Sequence, residues 1–143
     1  MREEIRQEVV MTKNVTVYIA DDGTEFKKKH ECEDYEFENI TKALLKKLQK
    51  CEDAEGLPNC NAGYVSDCYE YNWYFIRNHE DVEILNEAYG LGITDKYIGD
   101  WLCLETEGCC REAWFSTASE GIAYTKDLLT KLGYKVEITR EVE

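Results

Sequence analysis

Apolar residues recur along this chain in two rhythms. In "NVTVYIA", Val15, Val17 and Ile19 alternate with Thr16 and Tyr18, the period of a strand with one covered face. Asp21-Asp22-Gly23 then supplies turn chemistry, because a tight hairpin needs a residue that accepts positive φ. "TEF" reads as the short return strand. From about Lys29 the period lengthens. Cys32, Tyr35, Ile40, Leu44 and Leu48 recur at three- and four-residue steps, with Ala43 and Leu45 beside them, which predicts an amphipathic helix. Acids (Glu31, Glu33, Asp34, Glu36, Glu38) crowd its first half and lysines (Lys42, Lys46, Lys47, Lys50) its second, the order a helix dipole favours.

The pattern breaks at "CEDAEGLPNCNAGYVSDC", a turn-rich segment that reads as a long loop. "YEYNWYFIRN" restores period 2, with Tyr69, Tyr71, Trp73 and Phe75 on one face and Tyr74 on the other. Asn78 is placed to cap a helix over "HEDVEILNEAY", and Gly90 to end it. "DWLCLETEGCCREAWFST" predicts a hairpin with its tip near Glu107 and Gly108. Thr117 to Glu120 matches a capping box opening a helix through Ile122, Ala123, Leu128, Leu129 and Leu132, closed by Gly133. "YKVEITREV" alternates as a final strand. The order β-β-α-β-α-β-β-α-β predicts an α+β fold, a mainly antiparallel sheet of about five to six strands with about three helices.

Length adds little to this picture: 143 residues fit one domain, here residues 11–143. Met11 reads as a second start, so residues 1–10 are expected to be an optional extension. No apolar run approaches the roughly 18 residues of a membrane span. "MREEIRQEVV" lacks the apolar centre of a secretory signal, so the expected location is the cytoplasm. Seven cysteines, Cys32, Cys51, Cys60, Cys68, Cys103, Cys109 and Cys110, are an odd number at irregular spacing, which favours reduced thiols over a disulfide framework.

Charge changes the picture more. The net charge is −13, and residues 51–110 hold only Arg77 and Lys96 against thirteen acids. Such a surface repels nucleic acid and anionic membranes and attracts basic proteins. Solubility alone is the plainer explanation. A calcium loop at "ADDGTEF" fails on spacing: Asp21 and Asp22 are adjacent, Lys29 stands where a bidentate acid belongs, and Lys27 and Lys28 would repel the ion. Zinc normally announces itself by two close ligand pairs. Here Cys60 and Cys68 are separated by seven residues and Cys103 and Cys109 by five, and no second pair matches His30 and Cys32, so no metal and no cofactor is expected. For catalysis, His30 and His79 lie beside no nucleophile signature, and there is no phosphate-binding or dinucleotide fingerprint. No catalytic residue is therefore assigned.

What remains is binding. Glu80, Glu83 and Glu87 recur at helical spacing, with side-chain roots about 5–6 Å apart, a spacing comparable to a phosphate backbone. Asp53, Glu55, Asp67, Glu105 and Glu107 would extend that patch if loop and hairpin lie beside the helix, and Tyr74 would anchor a partner. The residues Tyr18 to Phe26 and Glu31 to Glu36, "YIADDGTEF" and "ECEDYE", resemble an N-terminal module of small phage and prophage accessory proteins. The resemblance covers about a fifth of the chain. It implies a non-enzymatic anti-defence role, by analogy with acidic anti-CRISPR proteins that occupy an effector's nucleic-acid groove. The expected partner is a basic nucleic-acid-handling protein, a CRISPR or other defence effector, with no direct contact to nucleic acid or membrane. The alternatives are a small enzyme or zinc protein built around the cysteine-rich loop, and a small-ligand binder using the aromatic strand as a wall.

Overall fold

Among residues 1–8, 13–63, 65–107 and 112–141, which the computed structural model describes, three α-helices and two antiparallel sheets form an α+β fold. They fall in two compact units, Met1–Leu45 and Lys46–Glu143. No proline, glycine or serine run marks the join.

The first unit holds β1 (Arg2–Glu8), β2 (Lys13–Ile19), β3 (Glu25–Phe26) and α1 (Lys29–Leu45), with sheet order β1-β2-β3. Seven of the ten residues expected to be an extension are a strand, paired with β2 from Arg2↔Ile19 to Glu8↔Lys13. Its one apolar side chain in the run, Ile5, is exposed. Charge holds this strand to the sheet as well: the Arg6 guanidinium bridges Glu4 at 2.8 Å and the Glu25 carboxylate of β3.

The turn after β2 forms as expected. The Gly23 N–H donates to Ala20 O, Ala20 N–H donates to Thr24 O, each at 2.9 Å, and Gly23 takes φ +90°, a conformation in which a side chain would be strained. The turn is then pinned to α1. The Tyr35 hydroxyl donates to Asp22 at 2.6 Å, and Glu36 accepts from the Asp21 N–H at 3.0 Å. Cys32 faces the core and is fully buried, but Ile40, on the same predicted stripe, is 50% exposed, and α1 stops at Leu45, before Leu48.

The second unit holds β4 (Gln49–Lys50), β5 (Tyr69–Phe75), α2 (His79–Tyr89), β6 (Trp101–Glu107), β7 (Ala113–Thr117) and α3 (Ala118–Lys131), with sheet order β4-β5-β6-β7. Its register defines two faces. Tyr71, Glu105 and Trp114 are directly opposite one another across β5, β6 and β7, as are Trp73, Cys103 and Ser116. Tyr74, Leu102 and Thr117 make a row on the reverse face.

The reverse face is the dry one. Tyr74, Ile76, Leu102 and Leu104 are buried there, with the inward stripe of α2, Val82, Leu85 and Ala88. The helix is capped as its sequence predicts. Asn78 Oδ1 accepts from the Asp81 N–H at 3.1 Å, and Gly90 ends it with φ +63°. Asn86 then clamps the returning chain, donating to Ile93 O and accepting from Ile93 N–H at 2.8 and 2.7 Å.

The other face is covered by loop rather than helix. The Trp73 indole donates to Leu57 O at 2.8 Å, and the buried Asn59 amide donates to Ser116 Oγ and Thr117 O at 3.0 and 2.8 Å. α3 follows with its capping box in place: Thr117 Oγ1 accepts from Glu120 N–H, and Glu120 accepts from Thr117 N–H. Gly121 sits against Asn59 and Cys60. Ile122, Leu128 and Leu132, expected to be its apolar stripe, are exposed. The final strand expected over 134–142 does not form in the described part. Residues 134–141 run irregularly, and Arg140 lies 4.6 Å over the Phe75 ring.

Candidate functional site

The acids singled out from the sequence separate into groups. Glu80, Glu83 and Glu87 lie along the outward side of α2, all exposed, while the inward side is locked in the core. The row is not wholly free. His79 stands at its start with Nδ1 2.6 Å from Asp95 and Nε2 3.0 Å from Glu83. Two carboxylates on opposite edges of one ring favour the imidazolium, and the Asp95 hydrogen bond, followed by the charges, raises the His79 pKa.

Asp53 and Glu55 are exposed around the short 3-10 turn Glu52–Ala54. Lys50 reaches Glu52 and Glu55 at 3.7 and 3.5 Å, which neutralises part of that group. Burial first, and then the charges of Tyr89, Glu52 and Glu55, act on the Tyr74 hydroxyl. Tyr74 itself is a correction to the expected patch. At 5% exposed it is core, and burial pushes its pKa up to about 12. Period 2 places a tyrosine on a face but does not say what covers that face. Asp67 is exposed in the turn leading to β5.

Glu105 and Glu107 do not join them. Both project from β6 onto the loop-covered face, opposite to α2, and both are half-buried. The aromatic residues there are arranged in a way the sequence did not disclose. Tyr69 belongs to β5 and Trp114 to β7, with β6 between them. Two strand spacings separate their backbones by about 9–10 Å. Yet their ring centroids are 5.9 Å apart and the planes perpendicular at 89°. The rings lean together over β6, where Glu105 and Glu107 emerge. Tyr71, directly opposite Glu105, is buried, and burial raises its pKa while the nearby Ser66 backbone acts in the opposite direction. Desolvation raises the pKa of Glu105, and no cation pairs with it among the described residues. Asn61 Oδ1, in the loop, is buried without a partner.

The cysteines assemble no metal centre among the described residues. Cys51 is half-buried, and Cys60 and Cys68 are exposed. Cys60 Sγ lies 3.1 Å from Gly121 O and 3.2 Å from Thr125 Oγ1, bonds that fasten the loop to α3. Burial pushes the Cys103 thiol up to about 12 and raises Cys32 as well, which keeps both in the unreactive thiol form. Cys109 and Cys110 lie outside the described residues.

Part of the N-terminal resemblance, Ala20, Asp22 and Tyr35, lines a pocket of ≈ 240 Å³ together with Ile40 and Ala43. Fold and geometry thus define an α+β protein with an acidic helix face and a separate aromatic-carboxylate face. No family model, curated protein or solved structure matches the chain.

Proposed function

We propose that this chain is a non-enzymatic binding protein that takes a basic, nucleic-acid-handling protein as its partner and blocks that partner's nucleic-acid site. The class of partner to which the N-terminal resemblance points is a CRISPR or other host defence effector, met in the host cytoplasm. One observation carries the reading: Glu80, Glu83 and Glu87 stand exposed on a helix whose other side is fixed in the core. A helix backbone already fixed in the core need not be ordered when it meets a basic groove, which leaves only the glutamate rotamers to be immobilised. The two bases between residues 51 and 110 do little to offset it. Arg77 is engaged by Asp81 at 2.9 Å, and Lys96 lies over the Tyr97 ring. Asp53 and Glu55, exposed in and just after the 3-10 turn Glu52–Ala54, add to the negative charge of the same unit.

The test is affinity capture from a host lysate at low salt, followed by elution with a salt gradient. Basic nucleic-acid-binding proteins should dominate the retained fraction and leave early in the gradient, because long-range attraction is screened by salt. The Glu80→Gln/Glu83→Gln/Glu87→Gln variant should retain them at least about tenfold less well, the loss of about 1.4 kcal/mol. A retained fraction without such proteins, or retention indifferent to both salt and the triple variant, sinks the reading.

A further inference from the structure

The apolar stripe of α3 is longer than the surface it packs on. Gly121, Thr125, Leu128 and Leu132 follow one another at steps of four, three and four residues, which puts them on one side of the helix. The first two are seated on the loop. Gly121 sits against Asn59 and Cys60, and the Thr125 hydroxyl donates to Cys60 Sγ at 3.2 Å. The last two are exposed, Leu132 at 65%. Tyr124, one turn before Leu128, is 53% exposed. A frayed end does not account for this exposure. The capping box fixes the start of the helix, and a Schellman pair closes its end: Tyr134 N–H donates to Leu129 O at 2.9 Å, and Gly133 N–H donates to Thr130 O at 3.0 Å. The segment that follows exposes two more apolar side chains, Tyr134 and Ile138. Apolar residues gathered on one exposed flank of a helix fixed at both ends mark a place where something docks.

Charge selects the occupant. The chain carries −13, yet residues 118–141 hold four acids and four bases and are neutral together. A basic partner is drawn to the acids elsewhere and gains no attraction here, while nucleic acid and anionic lipid are repelled by the chain as a whole. Two copies of so acidic a chain also repel each other, least where they approach through this neutral segment. A twofold interface sets one patch against itself, so the patch must be complementary to itself and carry both signs. This one does. Glu120 lies one turn before Tyr124, and Lys131, which bridges Asp127 of its own helix at 2.9 Å, lies near the other end. In an antiparallel pair centred between them, Tyr124 of one copy meets Leu128 of the other, and Glu120 of one lies toward Lys131 of the other. We infer that the exposed flank of α3, with Tyr124, Leu128 and Leu132, docks on the same flank of a second copy and makes the protein a twofold dimer. The inference goes beyond the acidic row of α2 and does not rest on it.

The experiment is sedimentation equilibrium of the full chain over a wide concentration range, at low and at high sodium chloride. The mass should rise from that of one chain, 16.7 kDa, to twice that and stop there, with a dissociation constant in the micromolar range. Association should strengthen in high salt, because salt screens the repulsion between two acidic chains and leaves the apolar contact in place. That is the opposite of the salt response expected for a basic partner, so the two readings fail separately. Leu128→Ser/Leu132→Ser keeps the charge and should weaken the dimer at least about tenfold at either salt. Both side chains are exposed, so the variant is expected to fold, which far-ultraviolet circular dichroism checks. Tyr124→Ser, a single change at an exposed position, should weaken it at least about threefold and serves where the double variant loses helical signal. The Glu80→Gln/Glu83→Gln/Glu87→Gln variant should dimerise at least as well as the parent. A chain that stays monomeric at both salts, association that continues past two copies, or a dimer indifferent to the α3 variants overturns the inference. So does a monomer that floats with phosphatidylcholine vesicles, which assigns the flank to a lipid surface.

Discussion

Asp81 and Glu105 are both carboxylates drawn out of water in the same unit, and their surroundings treat them in opposite ways. Asp81, 2% exposed, lies in the first turn of α2 and is saturated. Its Oδ2 accepts from the Arg77 backbone N–H and Nε, each at 2.9 Å, and its Oδ1 accepts from Arg77 Nη2 at 3.0 Å. The same Nη2 donates onward to Lys47 O at 2.8 Å. Desolvation pushes the Asp81 pKa up, but the Arg77 hydrogen bonds and charge outweigh it, and the net shift is downward. Glu105 feels desolvation, with no offsetting partner among the described residues, and its pKa rises. The first arrangement is what a fold needs to hold a helix. The second leaves a carboxylate partly desolvated without a matching cation among the described residues.

The largest effect should come from breaking the satisfied carboxylate. Asp81→Ala leaves the half-exposed Arg77 guanidinium and the Arg77 backbone N–H without their acceptor and removes the buried member of the pair. A loss of about 3 kcal/mol is expected in urea unfolding. The sign with pH follows from the depressed pKa. The contribution of Asp81 is present above the ordinary carboxylate range and is lost as pH falls through its lower folded value. The variant should therefore lose least, relative to the parent, in strong acid. Equal unfolding midpoints for parent and variant at neutral pH would show that the network contributes nothing.

Next comes the packing that seats the loop over the Glu105 face. Replacing a helical glycine by alanine normally gains about 1 kcal/mol. At Gly121 a Cβ would stand 2.2 Å from Asn59 Oδ1 and 2.9 Å from Cys60 Sγ. Asn59 is buried and its amide is committed to Ser116 and Thr117, so it has no free direction to retreat. Overpacking should win, with Gly121→Ala less stable by about 1–3 kcal/mol. A gain in melting temperature would show that the loop gives way easily.

Glu105→Gln should move stability the other way, and by less. Removing an uncompensated charge is expected to stabilise by on the order of 0.5–1 kcal/mol at neutral pH. Because the folded pKa is raised, the parent binds a proton more tightly when folded. Its handicap is full above that folded value and vanishes as pH falls below the ordinary carboxylate range. Thermal melts of parent and variant should therefore converge on acidification. A variant less stable than the parent at neutral pH would mean that Glu105 has a stabilising partner, and the contrast with Asp81 would collapse.

Much of this was legible in the residue pattern, and the illegible part has physical causes. Asn78, Gly90, Thr117 and Glu120 signal helix ends by chemistry local to the ends themselves, and each stands where its type predicts. The hairpin strands and the buried Cys32 follow from period alone. β1 was hidden because "REEIRQE" holds one apolar residue; it is a strand by pairing with β2, and pairing is not local. Residues 134–141 show the converse, a run with strand alternation that joins neither sheet. Among the site residues, the outward position of Glu80, Glu83 and Glu87 was legible from helical spacing. The sorting of Glu105 away from them was not, since it depends on which sheet face α2 covers. The meeting of Tyr69 with Trp114 across a whole strand was likewise beyond reach. Only the register of three strands brings those rings over one carboxylate.

The smallest effect concerns a third pattern between the two carboxylates, a histidine shared by two exposed acids. His79 joins the start of α2 to Asp95 in the returning segment and to Glu83 one turn along. All three groups are well exposed, so salt screens the attraction and the contribution is small. Its direction is nevertheless fixed. A histidine whose folded pKa is raised adds stability that is complete below its unfolded value of about 6.5 and is lost as pH rises through the folded value. Between those two points the parent should lose stability with rising pH, and His79→Gln should not. The slope should flatten in high salt. If parent and variant keep parallel stability profiles across that window at low salt, the clamp is a feature of geometry without energetic weight. In that case Glu83 belongs with Glu80 and Glu87 as a carboxylate free to meet a partner.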